Sequence, residues 1–261
     1  MTALQNQTAA SKSGRGLTAN TIKCIAILAM TVDHLTWAFC PDFDRHLPVL
    51  LLHCIGRLTC PIMCYFIAEG YHHTRDVRKY TRRLFLFALV SHFPYVLSSF
   101  AGAAFIDWKS FLPFYYGEIF NQTSVMWSLA WGLVMLRVVN SDKIRQGLKP
   151  WLIVLICPIA LISDWSCIAS LCVLAFGTNR GNFKKQMLWM IFYVAMYAVV
   201  YCLAIDKVYG LLQMAVVLSI PVLRLYNGQR GKSAAVNRVM KWLFYFYYPA
   251  HLLLIALLVR L

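Results

Sequence analysis

Residues 22–40 read IKCIAILAMTVDHLTWAFC, an apolar run of membrane-crossing length with an acid and a histidine inside it. A bilayer core of roughly 30 Å is crossed by about 20 helical residues rising about 1.5 Å each. Within such a run Asp33 and His34 each cost on the order of 2.5 to 3.5 kcal/mol even on lenient insertion scales. The stretch therefore places the chain in lipid and demands a compensating partner for two polar groups.

The same pattern recurs outward along the chain, with expected spans at 22–40, 47–69, 84–101, 122–139, 150–163, 165–178, 186–205, 208–225 and 242–260. Of 261 residues, 60% are hydrophobic and 13% charged, outside the usual soluble range. The prediction is an all-α, polytopic integral membrane helix bundle of about nine transmembrane helices. The count falls to eight if 150–178, whose two short runs flank SDW, is one re-entrant element. A flexible polar tail, 1–21, precedes a single transmembrane domain, 22–261. The tail lacks the basic start and apolar core of a signal peptide, so Lys23 opens an uncleaved anchor. The WAFC before Pro41 does not suit lipid attachment, because the bulky Phe39 adjoins the cysteine.

Basic residues set the orientation. With the tail inside, the cytoplasmic flanks hold Lys12, Arg15 and Lys23; Arg75, Arg78, Lys79, Arg82 and Arg83; Arg137, Lys143, Arg145 and Lys149; Arg180, Lys184 and Lys185; and Arg224, Arg230, Lys232, Arg238 and Lys241. That is 20 of the 25 lysines and arginines. The opposite flanks hold Arg45, Lys109, Lys207 and Arg260 among Asp42, Asp44, Asp107, Glu118, Asp164 and Asp206. The positive-inside rule then puts the amino terminus in the cytoplasm and the carboxy terminus outside. Much of the net charge of +15 is explained by topology, and no nucleic-acid partner is needed.

The loop EGYHHTRDVRKYTRR, 69–83, carries more cations than orientation requires. It either attracts anionic lipid heads, at about 1 kcal/mol per basic residue, or binds a polyanion such as the phosphates of a nucleotide-bearing cofactor; the two roles are compatible. The nine cysteines lie almost entirely within spans and lack the paired clusters of metal sites. Cys60 and Cys64 share one helix face and suit core packing.

Chemistry is expected from the ionisable residues inside the spans: Asp33, His34, Arg57, His92 and His251, with Glu69 and Asp164 near opposite boundaries. Counted from the outer ends, His34 lies about 9 Å deep, Arg57 about 15 Å, and His92 and His251 about 14 Å. One layer opening outward would accommodate them all. Neighbours on a helix differ by about 100° in direction, so Asp33 and His34 face different partners. Arg57 is the obvious one for Asp33, whether as a structural ion pair or part of a site. His34 is either a satisfied packing histidine or a participant in chemistry.

Four blocks bear on family. IKCIAILAMTVDHL, then IGRLTCPIMCYFIAEGYHHTRDVRKYTRRLFLFALVSHFPY, then SVMWSLAWGLVML, and finally LYNGQRGK with KWLFYFYYPAHLLLI, resemble in order and spacing the TraX family of conjugal-transfer membrane proteins. Residues 140–220 match mainly as hydrophobic helices around SDW. The resemblance implies an acyltransferase of the bacterial inner membrane that N-acetylates conjugative pilin, with acetyl-CoA as donor. It is distantly similar to membrane acyltransferases of surface polysaccharides. The motif positions are Asp33, His34, Gly56, Arg57, Pro61, Glu69, Gly70, His73, Thr74, Arg75, Pro94, Asn227, Gly228, Pro249 and His251.

On that reading His34 is the base, His251 the second candidate, and Arg57 the oxyanion or donor-binding group. His73, Arg75, Arg78, Lys79, Arg82 and Arg83 hold the donor's phosphates at the inner surface, while pilin offers its amino terminus from outside. A channel for the pantetheine arm must then join surface to midplane. Two rivals stand. Intramembrane Asp, His and Arg also build proton-coupled transporters, although Pro61, Pro94, Pro158, Pro221 and Pro249 do not divide the chain into the paired broken-helix repeats of such folds. A non-catalytic pilin-assembly partner is the other.

Overall fold

The computed structural model describes residues 16–99, 107–115 and 121–259. Most of the expected tail, with Lys12 and Arg15, and also Glu118 and Arg260, lie outside the described residues. All the expected spans fall on helix: α1 Ala19–Phe39, α2 Leu47–Gly56, α3 Thr59–His73, α4 Val77–Ser99, α5 Val125–Val139, α6 Lys149–Leu161, α7 Ile168–Thr178, α8 Phe183–Ala204, α9 Lys207–Leu212, α10 Ser219–Arg224 and α11 Ala234–Leu258. Among the described residues extended pairing is limited to isolated bridges, Leu17 with Tyr226 and Thr123 with Ser163.

Local chemistry sets the starts. The Thr18 hydroxyl accepts the Thr21 N–H to cap α1, and Asp206 accepts the Val208 and Tyr209 N–H groups to cap α9, each satisfying donors that a helix start leaves open. The Tyr209 N–H, with Arg45 beside it at 2.8 Å, holds the Asp206 carboxyl below its ordinary pKa.

Five helical stretches are long and apolar enough to cross a membrane: Ala19–Phe39, Leu47–His73, Phe183–Ala204, Lys207–Arg224 and Ala234–Leu258. Nine full crossings are therefore not carried by length alone. α4 is long but opens on the basic run from Arg78 to Arg83. α5, α6 and α7, with 15, 13 and 11 residues, reach only about 22, 20 and 17 Å. The 150–178 region resolves into two separate short helices around the Ile162–Cys167 connection.

The short helices α5 and α7 form the centre, with α3, α4 and α8 against them. Ser128 and Ser170 interlock there: the hydroxyls lie 2.9 Å apart and Ser170 Oγ donates to the Ser128 carbonyl at 2.6 Å. One and two turns further, Gly132 lies under Val173, and Leu136 lies over Gly177. Small and hydroxylated residues at close helix contacts are how helices associate in lipid, where burial of apolar surface gives no net drive. Cys60 and Cys64, buried with sulfurs 3.8 Å apart, pack into the same core. The outer helices leave Leu51, Trp151, Leu155, Phe192, Leu203 and Leu254 exposed, an apolar surface suited to acyl chains.

Two crossings are discontinuous. The helix breaks at Arg57–Leu58 between α2 and α3, and six residues, Gln213–Leu218, wind as 3₁₀ between α9 and α10. Prolines mark both interruptions: Pro61 and Pro221 have no N–H for the Arg57 and Val217 carbonyls four residues earlier. Gly56 is required at the first: a Cβ there would lie 2.3 Å from that of Asp33. The segment around Gly228 (φ +79°) clamps the start of α1, with Leu17 N–H on the Leu225 carbonyl at 2.8 Å and Asn20 donating to Asn237 at 2.7 Å. The terminal sequence blocks thus meet in space.

Candidate functional site between two cavities

α1 brings Asp33 and His34 to opposite partners, as their angular separation requires. Asp33 faces the two broken crossings. Arg57 Nη2 donates to both its oxygens, at 3.1 and 3.0 Å, Arg57 Nη1 to Gln213 Oε1 at 3.1 Å, and Arg57 Nε to the His53 carbonyl at 3.4 Å. These bonds engage all three guanidinium nitrogens, and Nη1, with two N–H groups and one bond, keeps an N–H for a further acceptor. His53 Nδ1 donates to Asp33 Oδ1 at 2.8 Å. The Arg57 guanidinium also lies 5.5 Å over the ring of Trp165. A buried charge held this way has its desolvation offset by pairing and hydrogen bonds together.

His34 faces α11. His251 Nδ1 lies 2.8 Å from the Tyr247 carbonyl, which accepts only, so Nδ1 carries the proton. The neutral His251 ring then offers its Nε2 lone pair, and His34 Nδ1, 2.7 Å away, donates to it. With both rings neutral, this order leaves His34 Nε2 as the free acceptor. The two rings lie nearly parallel, at 19°, with centroids 5.0 Å apart, the spacing an in-plane bond between ring edges gives, and the Tyr247 ring lies parallel to His251 at 5.1 Å.

Asp33, His34 and Arg57 line a cavity of about 530 Å³ toward the acidic ends of the helices, walled by Trp37, Tyr95, Trp165, Tyr197 and Tyr201. A second cavity, of about 740 Å³, lies at the basic end. Of the expected phosphate group it gathers His73, Arg75 and Arg83, joined by Lys23, Arg230 and Lys241 from α1, the Gly228 segment and α11. Arg78 lines a separate open groove with Arg137, Lys79 lies 3.5 Å from Asp76, and Arg82 is exposed and lines neither cavity. Glu69 braces the rim through Arg180 at 3.1 Å and His73 at 3.3 Å.

Two sequence expectations need correction. His92 does not join the layer. Its nitrogens are taken by Thr123 Oγ1 at 3.1 Å and the Phe111 carbonyl at 2.9 Å, so it ties α4 to loops. The expected channel is not seen either: among the described residues the two cavities share no lining residue. On α11 their walls end at Tyr245 and begin again at Leu252, about 10 Å along the helix. The septum includes the His34–His251 pair and the 2.6 Å bond between Thr31 and the Tyr247 hydroxyl. Sequence reasoning missed His53 and Gln213. His53 obeys the same cost argument as His34, and its position inside an apolar run was the available signal. Gln213 is uncharged, and only its 3₁₀ setting reveals it.

A helix bundle of membrane-crossing length that buries an Asp–Arg pair and a His–His pair between a cationic and an anionic cavity defines a polytopic membrane protein with an ionisable core. Residues 18–259 match the model of the family described as TraX protein, and the chain belongs to the TraX family. It is 27% identical over 244 residues to "Probable fimbrial assembly protein FimC, serogroup H1" of Dichelobacter nodosus, covering 90% of this chain and 93% of that relative. No solved structure matches it.

Proposed function

We propose that the chain is an inner-membrane acyltransferase that acetylates the amino terminus of a pilin subunit, taking the acetyl group from acetyl-CoA. The observation that carries this reading is the ordered proton chain from the Tyr247 carbonyl through His251 to His34, which leaves a base beside Arg57 at the foot of a cavity. His34 Nε2 accepts the proton of the acceptor amine as its nitrogen attacks the thioester carbon. The remaining Arg57 Nη1–H faces the developing oxyanion. His34 then returns the proton to the departing thiolate, giving an amide and a free thiol. His251 holds the His34 ring, and Asp33 holds Arg57. Five cations in the basic cavity, Lys23, Arg75, Arg83, Arg230 and Lys241, suit a polyphosphate.

The closed septum weighs against this scheme, which therefore requires α1 and α11 to part between Thr31 and Tyr247 when the donor binds. Cognate pilin from cells carrying His34→Ala should retain a free amino terminus by intact mass, with the variant present at normal level. Full acetylation would exclude His34 as the base. His251→Ala should slow transfer by at least tenfold, since the ring it orders is left free to turn.

The two discontinuous crossings meeting at Arg57 and Gln213 favour a second reading, a proton-coupled transporter, because such breaks line transport sites. In proteoliposomes it predicts proton flux that His34→Ala abolishes, and acetylation that His34→Ala leaves intact. The name of the Dichelobacter nodosus relative supports a pilin-related partner under either reading, and equally a non-catalytic assembly role, in which binding of pilin survives His34→Ala without any covalent change.

A further inference from the structure

The acidic-end cavity has a charge imbalance that the reaction residues do not absorb. Its lining holds three carboxylates, Asp33, Asp42 and Asp164, against one cation, Arg57. Arg57 is committed to Asp33 through two hydrogen bonds. Asp164 forms no ion pair among the described residues; its carboxylate accepts the neighbouring Trp165 N–H, and the fields of Arg57 and Asp33 oppose one another at it.

The connection between α6 and α7 is built to present this acid. The Asp164 N–H donates to the Thr123 carbonyl at 2.7 Å, beside the Thr123–Ser163 bridge. Trp165 and Ser166 then follow with φ of +62° and +53°, a conformation non-glycine residues adopt only when their surroundings impose it. That turn lays Trp165 against Arg57 and stacks it on Tyr197 at 5.9 Å. Tyr95, Tyr197 and Tyr201 complete a wall around the acid.

A single carboxylate among aromatic faces does not suit a hard metal cation, which needs six or more oxygen ligands. It suits an organic ammonium, whose N–H groups bond the carboxylate while ring faces attract the charge. We propose that Asp164 and its aromatic wall form the subsite that recognises the protonated amino terminus of the acceptor peptide, and that the Asp164 carboxylate takes the first ammonium proton and releases it to the aqueous mouth of the cavity, leaving the neutral amine whose second proton passes to His34. The proposal rests on the acyltransfer reading and names its acceptor chemistry. It also gives product release a cause: acetylation removes the charge, and the product loses its hold on Asp164.

Binding without donor tests this. In equilibrium dialysis with the full chain in detergent, trialanine amide with a free amino terminus should bind at least tenfold tighter than its N-acetylated form. Asp164→Asn should abolish the preference, and Asp164→Glu should keep it. Equal binding of the two peptides by the unaltered chain, or a preference surviving Asp164→Asn, overturns the proposal. If Asp164→Asn does not accumulate, the comparison on the unaltered chain decides. A preference without acetylation of pilin would sink the acyltransfer reading and leave the ammonium site standing; acetylation with equal binding would do the reverse.

Discussion

At the scale of single residues, the Asp33–Arg57 pair separates stability from chemistry. Asp33→Asn leaves Arg57 buried without its counter-charge, a loss of about 3–5 kcal/mol for a broken buried pair, so thermal unfolding in detergent should fall steeply. Adding Arg57→Gln removes the orphaned charge and should restore part of that loss while transfer stays absent. Full stability in Asp33→Asn alone would show that the pair is not essential to the fold. The residues of this cluster were unequally legible. Asp33, His34, Arg57 and His251 stand out because a charge in an apolar run has a known cost. Lys23, Arg230 and Lys241 did not, because cations at helix ends already have a sufficient reason in topology. Only folding brings α1, the Gly228 segment and α11 around one cavity, and no local pattern encodes that convergence.

At the scale of elements, two kinds of close contact decide the architecture. Where α1 passes the α2–α3 break, Gly56→Ala would force a methyl group into Asp33. Overpacking of this kind costs about 1–3 kcal/mol and here also displaces the Arg57 ligand, so both melting temperature and transfer should drop. On the α5–α7 seam, Gly132→Leu should push the helices apart, because Val173 lies 2.7 Å from the added Cβ position. Ser170→Ala removes interhelical bonds worth about 0.6 kcal/mol each in lipid and should be mild. A Gly132→Leu chain as stable as the original would show that the seam tolerates separation. The placement of the helices followed from apolar runs, but nine crossings did not, because only five helical stretches are long and apolar enough to cross a membrane. The breaks leave a different signal, the prolines four residues beyond Arg57 and Val217, whose missing N–H and ring interrupt the helix, and apolar run length does not register it.

At the scale of the whole molecule, charge asymmetry predicts orientation. In a background lacking exposed cysteines, Asn140→Cys at the basic end should resist a membrane-impermeant maleimide applied to intact spheroplasts. Asp42→Cys at the other end should label. The reverse pattern would invert the topology, and with it the assignment of donor and acceptor cavities.

The septum between those cavities has a consequence beyond the reaction. In a membrane that stores an electrochemical gradient, two aqueous pockets joined through an ionisable layer would offer protons a way to dissipate it. With His34 hydrogen-bonded to His251 and Thr31 to Tyr247, bonded side chains stand between the two pockets, and on the acyltransfer reading this layer lets the polar chemistry operate without short-circuiting the membrane. Any motion that admits a donor from one side must then be coupled to exclusion of solvent from the other.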